Sequence, residues 1–207
     1  MALNLAFEEM FSIPDAFGTI HMAGKTDLQI VTEGLIMHNI EGPNGNVPEF
    51  FACYLGHLAK TIYVRRGHVK PGVREALERL RRRDDVVLGL LTGNIESGAM
   101  LKLGAYGLAK YFDIGTFGDD DADRNRLLPI AVEKFRRKRD RVIGFRDCIV
   151  IGDTPRDVEC SKPYGAFAIV VATGPYSYSD LSDTAADAVF HDLSDTDKFL
   201  AAVNKFN

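Results

Sequence analysis

The sequence predicts an α/β fold: a parallel sheet with helices on both faces, joined to an all-helical segment. Three observations predict it. Roughly the first 65 residues carry helical periodicity and no strand pattern. Beyond them, continuous apolar runs alternate with amphipathic stretches. Each main run also closes on small polar residues, as in "VVLGLLTGN", "CIVIGDTP" and "AFAIVVATG". A strand buried on both faces of a parallel sheet reads as such a run, and strict alternation with helices argues for a sheet wrapped on both sides.

The elements follow in order. Leu3, Ala6, Phe7, Met10 and Phe11 recur at i, i+3, i+4, i+7 and i+8 and form one apolar helical stripe. "SIPDAF" breaks it. A second helix covers "GKTDLQIVTEGLIMHNI", with Thr26 or Asp27 as N-cap. "EGPNGNVPEF", rich in Gly, Pro and Asn, predicts a loop, and a third helix runs from about Glu49 to Ile62. "GHVKPGVREALERLRRR" is a loop and then an amphipathic helix. "DVVLGLLTGN" is a buried strand, "SGAMLKLGAYGLAKYF" a helix, and "FDIGTFG" a short strand before the acidic loop "DDDADRN". "RLLPIAVEKFRRK" is a helix, "CIVIGDTP" a strand, "RDVECSKPYG" a helix, "AFAIVVATG" a strand, and "DAVFHDLSD" a short edge strand before a final small helix. The division falls into a helical domain, residues 1–66, and a Rossmann-like α/β domain, residues 67–207.

Composition narrows the function. At 46% hydrophobic and 26% charged residues, the chain is globular in type. A net charge of −4 offers no pull toward nucleic acid or an anionic membrane. No apolar run approaches the ~20 residues of a membrane span, and the N-terminus, carrying Glu8 and Glu9, is no signal peptide. Three scattered cysteines (Cys53, Cys148, Cys160) fit no metal spacing and point to reduced thiols in a cytoplasm. The five histidines show no ligand spacing either. The runs "RRR" and "RRKRDR" sit at helix ends, where cations complement the dipole, and read as solvated surface.

In an open parallel sheet the active crevice lies beyond the carboxyl ends of the strands. The residues expected there are Thr92, Gly93 and Asn94, then Arg124 beyond the acidic loop, then Asp153 and Asp157, then Thr173 and Gly174. A hydroxyl, backbone N–H groups, a cation and paired carboxylates suit phosphate handling with Mg²⁺, which takes carboxylate, water and phosphate oxygens. Thr92 and the N–H groups of Gly93 and Asn94 would donate to phosphate oxygens, and Arg124 would offset charge on the transferring group. Each piece has a plainer reading as a turn, a helix cap or a solvated side chain; their joint order favours the phosphate site.

Four stretches resemble the haloacid dehalogenase superfamily, in its phosphoglycolate-phosphatase-like branch. "LLTGN" resembles the motif whose hydroxyl binds the phosphoryl group, here Thr92. "VIGDTPRD" resembles the motif whose first acid ligates Mg²⁺ and whose second supports it, here Asp153 and Asp157. "GLAKYFDIGTFGDD" resembles the approach to the third strand, and "AFEEMFSIPDAFGTIHMAGKTD" the start of a helical cap. The resemblance implies a Mg²⁺-dependent phosphatase acting on a small phosphorylated metabolite through an aspartyl-phosphate. Lys25 in "GKTD" is the cap residue expected to reach the substrate. A sugar-phosphate mutase and a phosphonate hydrolase remain open; a dehalogenase, which needs no metal, fits the Asp153/Asp157 pair poorly.

Two departures stand out. The family's usual lysine has no counterpart, and Arg124 in "DADRNRLLP" is the substitute, with the charge but not the geometry of lysine. The family's opening strand, which ends in Asp-x-Asp-Gly-Thr and supplies nucleophile and acid/base, has no counterpart either. "FDIGTFG" imitates it, but lacks the second aspartate and sits where the third strand belongs, so Asp113 is a poor nucleophile candidate. The absent strand would lie between those carrying "LLTG" and "IVIGD". Unpaired buried backbone groups cost ~1–3 kcal/mol each, against a total domain stability of ~5–15 kcal/mol. The expectation is that about 10–20 further residues, one strand and its turn, precede Met1; the alternative is a noncatalytic phosphate- or metal-binding protein.

Overall fold

The computed structural model of the chain describes residues 2–40, 43–64 and 67–205. Helix α1 spans Ala2–Phe11, α2 Asp27–Met37 and α3 Pro43–Thr61. The expected stripe on α1 is buried at Ala6 and Phe7. Phe7 packs edge-on against Phe17 at 5.2 Å and Phe50 at 5.9 Å. Ile30, Val31 and Leu35 of α2 and Tyr54 and Leu58 of α3 complete one apolar cluster, which reaches the rest of the chain through Ile95. Thr26 is the N-cap of α2, its hydroxyl accepting from Gln29 N at 3.1 Å.

The loop expected over residues 41–50 is helical from Pro43 onward; residues 41 and 42 lie outside the described set. Proline at the first helical position loses no bonded N–H. Pro48, within the helix, is carried by the packing of Phe50, Tyr54 and Leu58, a case of burial overriding local propensity. The expected boundary between residues 66 and 67 lies at the edge of a gap in the described set, which leaves out Arg65 and Arg66.

The remaining helices are α4 (Val73–Arg81), α5 (Glu96–Ala105), α6 (Leu127–Arg139), α7 (Pro155–Glu159), α8 (Tyr178–Ser182) and α9 (Thr196–Asn204). The strands are β1 (Gly89–Leu91), β2 (Ile114–Thr116), β3 (Ile149–Gly152), β4 (Phe167–Val171) and β5 (Ala188–Phe190). Every pairing among them is parallel. Alternate residues of β4 serve opposite faces. Ile169 and Val171 pack with Ala76 and Leu80 of α4 and Phe199 and Val203 of α9. Ala168 and Val170 pack with Val158 of α7 and Leu181 of α8.

The sheet is divided. Among the described residues β1 pairs with β2 alone, and β3–β4–β5 form a separate ladder. The two parts are nonetheless neighbours. Leu91 of β1 shares a cluster with Val150 of β3 and Leu128 of α6, and Leu88 shares another with Ile149 of β3 on the opposite face. Helices thus span both parts from both sides while β1 and β3 exchange no hydrogen bond.

The division explains two differences from the sequence reading. The run beginning at Val86 becomes a strand only over Gly89–Leu91, because a ladder forms on one edge only. The expected burial of both inner strands also fails: Val87 is 39% and Ile151 44% exposed, whereas Ile169 and Val170 of the fully paired β4 are sealed.

Candidate active site

Because all five strands are parallel, their carboxyl ends lie on one edge. There a cleft of about 750 Å³ is lined by Thr92, Gly93 and Asn94 from the turn after β1, Arg124 from the loop after β2, and Asp153 and Asp157 from β3 and α7. Lys25 lines the same cleft from the helical layer. The structure therefore brings Thr92, Gly93, Asn94, Arg124, Asp153, Asp157 and Lys25 to one cleft, whereas Thr173 and Gly174, expected at the same edge, are not among its lining residues.

The loop after β3 is organised by Asp157. This buried carboxylate accepts from Asp153 N at 3.1 Å, Thr154 N at 2.9 Å and Thr154 Oγ1 at 2.8 Å, all on Oδ2. Thr154 is the N-cap of α7 and Asp157 its N3 residue, a reciprocal capping box. The other oxygen, Oδ1, accepts from Arg124 Nη2 at 2.5 Å, in a pair only 11% and 6% exposed. Asp157 thus fixes the loop and aims Arg124. Both its oxygens are engaged within the protein.

Asp153 differs. No side-chain donor among the described residues reaches its carboxylate. Burial raises its pKa, and the charge of Asp157 adds to the rise against Arg124 and Lys70. Gly174, from the loop after β4, lies so close that a Cβ there would stand 2.3 Å from Asp153 Oδ2. A half-buried carboxylate without a cationic partner, cradled by a glycine, suits a hard divalent cation such as Mg²⁺. Arg124 lines the same cleft, held there by Asp157, and its charge opposes the rise at Asp153. Cys160, buried behind the loop, is no nucleophile, since burial is the main force pushing its thiol up to about 11.

The turn after β1 is organised from the helical layer. Asp27, the first residue of α2, donates its N–H to Gly93 O at 2.6 Å. Its carboxylate accepts from Ile95 N at 2.9 Å and from Asn94 Nδ2 at 3.2 Å. Lys102 Nζ donates to Asn94 Oδ1 at 2.9 Å. Burial pushes Asp27 up and Lys102 down, and the attraction between the two charges opposes both shifts. Burial and the nearby Asp27 charge also raise the pKa of the Tyr54 phenol. Gly93 is required by contact: a Cβ would stand 2.2 Å from Lys25 O. Thr92 Oγ1 accepts from Asn94 N at 3.2 Å, so that N–H is engaged within the turn, while the hydroxyl proton of Thr92 remains to donate.

Asp27, Lys102 and Tyr54 were not nominated from the sequence. "GKTD" drew attention to Lys25, which pairs with Glu33; the residue two places on reaches the turn. Asp113 lies away from this edge, before β2, paired with Arg139 at 2.6 Å. In the acidic loop, Asp119 accepts from Glu96 N, Asp120 pairs with Lys134, and Asp123 accepts from Asn125 N. These carboxylates cap and brace local structure.

The sequence of residues 2–163 matches the haloacid dehalogenase-like hydrolases. No curated protein matches it. A hydrolase from Pseudomonas syringae superposes with a TM-score of 0.72 at 20% identity, over 98% of this chain and 90% of its own. A predicted phosphoglycolate phosphatase from Haemophilus somnus gives 0.69 at 16%, over 96% and 88%. A β-phosphoglucomutase from Clostridium difficile gives 0.70 at 16%, over 100% and 89%. At these identities the likeness is one of fold, and the family rests on the sequence match. With Thr92, Arg124, Asp153 and Asp157 gathered at one edge of that fold, the chain belongs to the haloacid dehalogenase-like hydrolase family.

Proposed function

We propose that this chain forms the phosphate- and metal-binding body of a Mg²⁺-dependent phosphomonoester hydrolase acting on a small phosphorylated metabolite. The observation that carries the reading is the convergence of Thr92, Arg124 and Asp153 on one cleft, with Arg124 held in place by Asp157. Thr92 donates to a phosphoryl oxygen, and Arg124, held by Asp157, offsets its charge. Asp153 holds Mg²⁺, which in such sites neutralises phosphate charge and orients the group for displacement. Residues 1–66 act as a cap over the core of residues 67–207, excluding water, with Lys25 facing the substrate. Three cysteines free of disulfide bonds and the lack, among described residues, of a helix long and apolar enough to cross a membrane accord with a cytoplasmic enzyme.

The nucleophile in this reading is a carboxylate on a strand seated between β1 and β3, where both strands keep an unpaired edge. Attack on phosphorus expels the alcohol and leaves an aspartyl-phosphate, which water then hydrolyses. The test is Mg²⁺-dependent hydrolysis of p-nitrophenyl phosphate, measured for residues 1–207 and for a form extended in frame upstream by an apolar strand ending in Asp-x-Asp. The expected result is no turnover by the first and turnover by the second, lost with EDTA. Turnover by residues 1–207 alone would refute the seated-strand nucleophile. A folded extended form that binds Mg²⁺ and phosphate yet never turns over would leave the noncatalytic binding protein as the better description.

A further inference from the structure

Three side chains with metal-ligating atoms meet where α1 packs on α3, outside the cleft. Cys53 and His57 lie four residues apart on α3 and so share one face of that helix. Glu9 of α1 stands opposite. His57 Nε2 is 2.8 Å from Glu9 Oε2, and one ligand atom from each of the three side chains lies within 4.8 Å of the others. None of the three lines the cleft at the strand ends.

We propose that Glu9, Cys53 and His57 bind a zinc-like divalent cation through one carboxylate oxygen, one thiolate and one imidazole nitrogen. The donor set points to the ion. Sulfur with nitrogen suits Zn²⁺ and its mimic Co²⁺, whereas Mg²⁺ takes oxygen ligands alone. Bond lengths of about 2.0–2.3 Å around a tetrahedral centre set the donors roughly 3.3–3.6 Å apart. The observed grouping reaches that spacing with a shift of about 1 Å, and Glu9 is free to make it, its side chain being 65% exposed. The Cys53 thiol gives up its proton on binding, the imidazole binds as its neutral form, and water fills the fourth position. The ion ties α1 to α3. Because the three residues meet only in the folded chain, binding stabilises it by mass action.

The sequence shows only part of this, and the reading that its cysteines and histidines lack ligand spacing passes over the i, i+4 pair Cys53 and His57. Cys-x₃-His supplies two ligands, and the third comes from a helix 44 residues earlier, as the positions of Glu9 and Cys53 show.

The test titrates the purified chain with Co²⁺ and follows the sulfur-to-cobalt charge-transfer band, then displaces it with Zn²⁺ in excess Mg²⁺. The expected result is one equivalent bound, unaffected by Mg²⁺, with thermal unfolding shifted upward by Zn²⁺. Cys53→Ser abolishes the band while circular dichroism stays unchanged. His57→Ala and Glu9→Ala each weaken binding by about tenfold or more, the scale set by loss of even an outer partner at known sites. No band in the parent chain overturns the proposal, as does a band that survives Cys53→Ser or is indifferent to His57→Ala. None of these outcomes depends on phosphatase activity, so this site and the cleft succeed or fail separately.

Discussion

The two loops that wall the cleft are held by the same device drawn from different distances. The loop after β3 is organised by Asp157, four residues beyond Asp153, which accepts from two backbone N–H groups and a hydroxyl. The turn after β1 is organised by Asp27, about 67 residues earlier in the chain, which accepts from Ile95 N and Asn94 Nδ2. Both carboxylates are buried, at 4% and 3% exposure. One wall is therefore braced from within its own loop, and the other is braced in part from the helical layer.

Breaking the internally braced wall has the largest effect. Asp157→Ala strands the Arg124 guanidinium in a buried setting and removes the α7 capping box; a loss of about 3–5 kcal/mol is expected. Urea unfolding measures it, and a loss below about 1 kcal/mol would mean that Arg124 relaxes into solvent. The divided sheet offers the next contrast. Ile169→Ala, in the paired strand, should cost about 2–5 kcal/mol, whereas Ile151→Ala, on the open edge, should cost under about 1 kcal/mol. Equal costs would show that the edge is covered in solution.

Asp27→Ala comes third, at about 1–3 kcal/mol, from the unpaired Ile95 N–H and Asn94 amide. Its sharper signature is local: amide exchange at residues 93–95 should accelerate while β4 stays protected, and uniform acceleration would count against a separately docked layer. The smallest effect on stability belongs to Asp153→Asn, within about 0.5 kcal/mol, since burial and the Asp157 charge already disfavour its charged form. Mg²⁺ is expected to raise the melting temperature of the parent protein, and the same variant should lose that rise. A variant that keeps this rise removes Asp153 from the metal site.

This contrast also marks what the sequence makes legible. The β3 loop can be read in one line because apolar strand, glycine, acid, cap and second acid all lie within "VIGDTPRD". Thr92 and Gly93 are legible for the same reason, as the close of an apolar run. Asp27 is not, because nothing in "GKTD" states that its carboxylate meets a turn in another part of the fold. The start of α3 was hidden by composition: Pro43 and Pro48 read as loop until Phe50, Tyr54 and Leu58 are seen to bury themselves against α1 and α2. The alternation of strands and helices was legible throughout. The shortness of β1 was not, since strand length depends on which neighbours are present to pair.

The divided sheet also bears on how the molecule behaves at high concentration. Open rows of N–H and C=O groups on β1 and β3, with Val87 and Ile151 uncovered beside them, form a template that any extended peptide can copy. Residues 1–207 are accordingly expected to take up an extended apolar peptide in that slot, and lysine placed at Ile151 is the simplest guard against it.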